Sequence, residues 1–154
     1  MILGQVFNPK TICVNLESEE KEEVFEELLE KVIAIKPNLN RENILSAILE
    51  RESLMSTGIK EGIAVPHGKT DEVDEVIGVI GISRAGIDYE ALDNKPVHLV
   101  FLLLSSKNNA EFHLRVLRHL STVIESAGFV SELMEQKDSE GVYQVICKYD
   151  RELN

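Results

Sequence analysis

The sequence predicts an α/β domain with a mixed central β-sheet flanked by helices on both sides. Val76 to Ser83 and Val97 to Leu104 are rich in Val, Ile and Leu. The second run is apolar nearly throughout, as a central strand covered on both faces must be. Around them lie stretches whose apolar residues recur at helical spacing. With 154 residues and 17.3 kDa, the chain is expected to form a single domain over 1–154 with a core of its own.

Taken in order, Thr11 to Leu16 is β-rich and reads as a strand. Glu19 to Ile35 reads as a helix, because Val24, Leu28 and Val32 repeat between charges. Its glutamates read as a solvated face, and Pro37-Asn38 breaks the pattern. Asn40 is an expected N-cap, and Leu39 can staple against Ile44. Ile44, Leu45, Ile48 and Leu49 form that helix's apolar stripe, with an end expected near Glu52. Ser53 to Gly62 reads as a loop and Ile63 to Val65 as a short strand stopped by Pro66. Turns are expected at Gly86 and Asp93-Asn94. Asn109 is the expected N-cap of a helix from Ala110 to about Ser126, with Phe112, Val116, Leu120 and Val123 inward; Gly128 ends it. Two shorter helices are expected near Val130 to Gln136 and Glu140 to Cys147.

Charge and composition exclude several functions. Sixteen basic against 27 acidic residues give a net charge of -11, opposite to what neutralising nucleic-acid phosphates requires. The same balance opposes an electrostatic hold on anionic membranes. The longest apolar stretch falls far short of the roughly 18 residues of a membrane span. The start lacks the basic region and long apolar core of a signal peptide. Cys13 and Cys147 belong to no CxxC pair. A cytoplasmic protein is the expectation.

Several motifs fail on inspection. Gly68-Lys69-Thr70 ends like a P-loop, but the position where the motif needs its first glycine is Ile63, and Pro66 removes an N–H from the cradle. Gly81-Ile82-Ser83-Arg84-Ala85 imitates a nucleophile elbow but ends in Ala. Gly78 and Gly81 alone make no dinucleotide fingerprint. His67 and His113 lack a third metal ligand at suggestive spacing, so no metal is expected.

The histidines and one arginine hold the remaining chemistry. His98 reads as a sheet-end residue and His119 as a surface residue. His67 follows a strand and a proline, at the strand's carboxyl end, where open α/β sheets place their sites. His113 sits in a helix's first turn, which disfavours imidazolium and leaves a neutral hydrogen-bond donor. Arg51 suits the C-terminal macrodipole but also offers a fork for phosphate. Ser56-Thr57-Gly58 reads as a turn or as an anion cradle. Singly, a structural role outweighs a catalytic one for each histidine.

In combination, Arg51-Glu52-Ser53-Leu54-Met55-Ser56-Thr57-Gly58-Ile59 followed by Gly62-Ile63-Ala64-Val65-Pro66-His67-Gly68 resembles the fructose/mannitol-type enzyme IIA of the bacterial phosphotransferase system. That family includes the nitrogen-related enzyme IIA. The resemblance continues through Leu92 to Val97, Leu99 to Leu104 and His113-Leu114 with Leu117, more loosely before Asn40 and after Ser126. It implies that His67 is the phosphorylated nucleophile, with His113 and Arg51 as active-site partners. Ser56 and Thr57 are expected to complete the phosphate cradle. It implies a phosphotransferase with no cofactor, since donor and acceptor are proteins: HPr or a paralogue gives the phosphoryl group. The receiver is an enzyme IIB cysteine in sugar uptake, or, in the regulatory branch, phosphorylation controls binding to another protein. Lys60-Glu61 and His98 depart from the family pattern.

Overall fold

The structure, a computed structural model, describes residues 2–58 and 60–153. Ile59, part of the signature above, lies outside them. The chain opens with α1 (Leu3–Val6), a 3-10 turn at Pro9–Thr11 and strand β1 (Ile12–Cys13). Helices α2 (Lys21–Ile35) and α3 (Arg41–Leu54) precede β2 (Ile63–Ala64), β3 (His67–Lys69), β4 (Ile77–Ile87) and β5 (Val97–Ser105). A 3-10 turn at Lys107–Asn109 leads into α4 (Ala110–Glu125), then α5 (Phe129–Met134) and α6 (Ser139–Leu153).

The sheet is mixed, in the order β1-β4-β5-β2, with β3 also on β5. β4 and β5 are antiparallel, with Ile80 opposite Phe101 and Ile82 opposite Leu99. β2 and β3 run parallel to β5 along one edge, Ile63 opposite Leu99 and His67 opposite Leu103. They form a single edge interrupted at Val65-Pro66, because proline has no N–H to donate; its carbonyl still accepts from Leu103 at 3.0 Å.

Two hydrophobic layers sandwich this sheet, as its alternating side chains dictate. Leu99, Phe101 and Leu103 of β5 join Val116, Leu120 and Val123 of α4 and the apolar residues of α1, α5 and α6. Val100, Leu102 and Leu104 face the other way, onto Phe25, Leu28 and Val32 of α2 and Ile44 and Ile48 of α3. The glycines that made no nucleotide fingerprint serve this packing. A side chain at Gly78 would collide with Phe7, and one at Gly81 with Leu16 and Leu28.

The mixed sheet with helices on both sides agrees with the sequence expectation; several details differ. β1 is shorter than Thr11 to Leu16, because Pro9 opens a 3-10 turn capped by the Asn8 side chain. β4 runs on through the expected turn at Gly86, whose φ of +98° lets the strand shift register between Ile82 and Ile87. Asn40 caps α3 as expected, its side chain accepting from Asn43 N–H at 3.1 Å. Asn109 does not cap α4: its amide donates to the Asp74 carbonyl at 2.8 Å instead. α1 and the full length of α6 were not legible, α1 because a single turn is too short to display a period. Among the described residues, no helix is long and apolar enough to cross a membrane.

His119 is not a surface residue. Its Nε2 lies 2.8 Å from Oδ1 of Asp150, which is fully buried and accepts from Gly4 N–H at 2.9 Å through Oδ2. Tyr143 closes the group by donating to the Gly4 carbonyl at 2.7 Å. α1, α4 and α6 are thereby tied at one point.

Phe101 lies at the middle of β5, fully buried, with its ring edge-on to Phe7 at 6.1 Å. Phe101→Ala is expected to cost about 3–5 kcal/mol of stability, measured as a lowered midpoint in urea unfolding followed by circular dichroism. A loss under about 1 kcal/mol would mean that this layer collapses around the cavity.

Candidate functional site

The site forms where the edge of the sheet, the end of α3 and the start of α4 converge. Gly68 is the local reason for the first approach: a side chain there would press on the backbone of Ala47 and Ile48 at 3.2–3.3 Å. Its absence lets α3 lie close on β3, so that Arg51, one turn further along the helix, comes beside His67. α4 is held over the same end of the sheet by Val116 and Leu120, which carries His113 inward.

His67 is half-buried, and its ring lies 5.5 Å from that of His113 between centroids. Nδ1 of His67 is 3.0 Å from the Val65 carbonyl oxygen. A carbonyl can only accept, so Nδ1 carries the proton and Nε2 carries the lone pair. No hydrogen bond among the described residues engages that Nε2. Burial, above all, and the nearby Arg51 and Lys69 cations hold the pKa below the ordinary imidazole value, against the opposing pull of the Val65 carbonyl and Glu52. A neutral nucleophilic nitrogen at neutral pH is the result.

His113 is 4% exposed, and its Nδ1 is buried without a partner among the described residues. Burial, then repulsion from His67 and Lys69, brings its pKa down to about 4. The ring is neutral at pH 7. Its single proton is least costly on Nε2, because an N–H sealed at Nδ1 would go unpaired.

Arg51 donates from Nη1 to the Met55 carbonyl at 3.0 Å, leaving other guanidinium N–H groups to meet an anion. Arg51, Met55, Ser56, Thr57, Val65 and His67 line one side of a cavity of about 170 Å³, and Leu117, Leu120 and Ser121 of α4 line the other. A wider groove of about 510 Å³, lined chiefly by the acidic Glu20, Glu22, Glu52, Asp88 and Glu90, contains no imidazole. Chemistry rather than size selects the smaller cavity.

Thr57 differs from the sequence expectation. Its hydroxyl donates to Glu52 Oε1 at 2.6 Å and its N–H to Glu52 Oε2 at 2.9 Å. Both donors are committed inside the protein, so Thr57 has none to offer a phosphate. Ser56 accepts from Gly58 N–H at 3.2 Å and keeps its own hydroxyl proton. His98 sits at the sheet end, its Nδ1 2.9 Å from the Ser83 carbonyl, away from this cavity. Glu61 pairs with Lys95 at 3.0 Å on the surface.

Sequence reasoning passed over Glu52 and Val65. Val65 works through its carbonyl, which no side-chain pattern can reveal. Glu52 did carry a signal: a carboxylate in the last turn of a helix opposes the macrodipole, and an unfavourable residue at such a place asks for a local reason.

Comparison with known proteins follows the same lines. Residues 5–149 match the family model described as phosphoenolpyruvate-dependent sugar phosphotransferase system, EIIA 2. The chain is 36% identical over 151 residues to a phosphotransferase-system fructose-specific EIIABC component of Bacillus subtilis, covering 98% of this chain but 24% of that protein. It thus spans about a quarter of that relative's length. It is 31% identical over 144 residues to a nitrogen regulatory protein of Pseudomonas aeruginosa, covering 94% of each. Nitrogen regulatory protein IIA-Ntr of Neisseria meningitidis has the same fold, with a TM-score of 0.86 at 28% identity over 95% of this chain and 99% of that one. A family match that runs from α1 into α6 takes in the whole sheet and both flanking helical layers, and on it this chain belongs to the EIIA 2 family of the phosphoenolpyruvate-dependent sugar phosphotransferase system.

Proposed function

We propose that the protein is a phosphoryl carrier that accepts phosphate on Nε2 of His67 from phospho-HPr or a paralogue. It then passes the group to a cysteine of an enzyme IIB in uptake of a fructose- or mannitol-type sugar. One observation carries the reading: Nδ1 of His67 is held by the Val65 carbonyl, which leaves Nε2 as the lone-pair nitrogen, beside Arg51 and a neutral His113. In acceptance, the Nε2 lone pair forms a bond to phosphorus as the donor's phosphorus–nitrogen bond breaks and its electron pair returns to the donor imidazole. Arg51 offsets the charge on the equatorial oxygens, and His113 Nε2–H and the Ser56 hydroxyl donate to them. Transfer onward reverses the geometry, with a thiolate sulfur as the attacking atom. Because both exchange partners are proteins, no metal or nucleotide is called for.

The surroundings support a protein partner. Leu54 and Met55 at the end of α3 and Leu114 on α4 expose their side chains on the two helices that flank His67. Exposed apolar residues around a reactive group suit a transient interface with an apolar centre, and the acidic chain suits a basic-rimmed donor.

A second reading has a specific observation behind it. The nitrogen regulatory protein of Pseudomonas aeruginosa is 31% identical over 94% of this chain, and the IIA-Ntr of Neisseria meningitidis shares the fold with a TM-score of 0.86. In this reading phosphate still reaches His67, and the phosphorylation state governs binding to a regulated protein. The two separate on one measurement: passage of phosphate from the loaded protein to an enzyme IIB cysteine supports transport, and a loaded protein that retains its phosphate in the presence of enzyme IIB supports regulation.

His67→Ala is expected to abolish labelling by radiolabelled phospho-HPr, and full labelling of that variant would overturn the assignment. Arg51→Ala is expected to slow acceptance on the order of 100-fold, measured by rapid quench; an unchanged rate removes its role.

The pH dependence follows from the depressed pKa of His67. Protonation at Nε2 removes the nucleophile, so acceptance falls as pH drops through the folded-state pKa, which lies below the ordinary 6.5. With phosphoramidate as donor, the fitted pKa of His67 is expected below 6.5. A value at or above it would contradict the burial argument.

A further inference from the structure

Glu52 is a buried carboxylate at the wrong end of a helix. It is 7% exposed, and burial by itself would raise its pKa. Hydrogen bonds from Thr57 and Lys21 instead hold it below the ordinary carboxylate value. Lys21 Nζ lies 3.1 Å from Oε2 and 4.7 Å from the centre of the Tyr89 ring. Tyr89 donates to Oε1 at 3.1 Å, and its hydroxyl is 2.8 Å from that of Thr57. Removing a partner from such a group is costly, whereas an apolar replacement of the whole set is often nearly neutral. A buried ionised group that does no more than hold the fold is therefore an expensive choice.

From Glu52 a continuous set of hydrogen bonds leads to the nucleophile. Thr57 N–H donates to Glu52 Oε2 at 2.9 Å. Val65 N–H donates to the Thr57 carbonyl at 3.2 Å. His67 Nδ1–H donates to the Val65 carbonyl at 3.0 Å. Val65 can serve this way because its backbone groups face the outer edge of the sheet, away from β5: its N–H bonds to the 55–58 loop, and its carbonyl turns to the imidazole. Arg51 clamps the same loop at Met55, so the acidic and basic neighbours at the end of α3 grip it at two points.

We infer that Glu52 is a positioning residue for phosphoryl transfer, which acts through Thr57 and Val65 to fix the ring orientation and tautomer of His67. It touches neither phosphate nor donor. Ordering each link holds the next, and a chain of aligned hydrogen bonds strengthens its members. Loss of the carboxylate frees the 55–58 loop, then Val65, then the imidazole. A nucleophile that must find its orientation anew in each encounter reacts more slowly. This inference rests on the phosphoryl-acceptor reading of His67.

The experiment uses the full chain with phosphoramidate as donor, so that docking of a protein partner plays no part. Phosphate on His67 is followed by intact mass, and the imidazole nitrogens by 15N NMR. Glu52→Gln turns one accepting oxygen into a donor that opposes Thr57. It is expected to slow phosphorylation about tenfold or more and to reduce the population of the Nδ1–H tautomer of His67. Thr57→Val, which removes only the hydroxyl, is expected to move both readouts the same way by less, and Thr57→Ser to retain more of the rate than Thr57→Val. If Glu52→Gln fails to fold by thermal unfolding, Thr57→Val against Thr57→Ser decides on the same two readouts. Wild-type rate and tautomer in the folded variants overturn the positioning role and leave His67 as acceptor. A wild-type protein that takes up no phosphate at His67 overturns both, which tells the two failures apart.

Discussion

Along one edge of β5, the chain from Ile63 to Lys69 pairs in parallel, misses its footing at Val65-Pro66, and pairs again from His67. That interrupted edge places everything else at the site. Pairing with Leu103 fixes the backbone of His67 to the most buried strand of the protein. Val65 directs its N–H and carbonyl away from β5, at the outer edge of the sheet, so its carbonyl is free to bind the imidazole. The proline removes one donor from the ladder while leaving the strand direction intact.

The two helices that complete the site are located by their cores rather than by polar contacts with each other. Ile44 and Ile48 seat α3 on one face of the sheet, and Val116, Leu120 and Val123 seat α4 on the other. Each presents its functional side chain from the margin of an apolar stripe. Arg51 lines the cavity beside His67, and His113 is buried. The site thus inherits the rigidity of two packed layers, and its low dielectric keeps both histidines neutral.

Two buried carboxylates show how differently one kind of group can be used. Asp150 is fully buried and binds His119 and the Gly4 amide, a knot that ties α1, α4 and α6 together. Glu52 is answered by Thr57, Tyr89 and Lys21, and its connections run to His67. Both are paired as burial requires. What separates them is where the next hydrogen bond leads.

The sequence by itself determined the fold class, most helices and the two central strands, and through its family resemblance it raised the expectation that Arg51, His67 and His113 act together. Periodicity and apolar runs are written residue by residue, and the spacing of the Ser-Thr-Gly and Pro-His-Gly segments is legible without coordinates. It placed Thr57 in the phosphate cradle and His119 on the surface, and both expectations fail, because the partners that decide each are brought together only by folding. Which nitrogen of His67 carries the lone pair was open as well. Only the tertiary structure chose it, by aiming the Val65 carbonyl at Nδ1, and only it joined Glu52 to Thr57 and Asp150 to His119. Backbone carbonyls have no letter in a sequence, and a buried charge takes its meaning from the groups that folding brings to meet it.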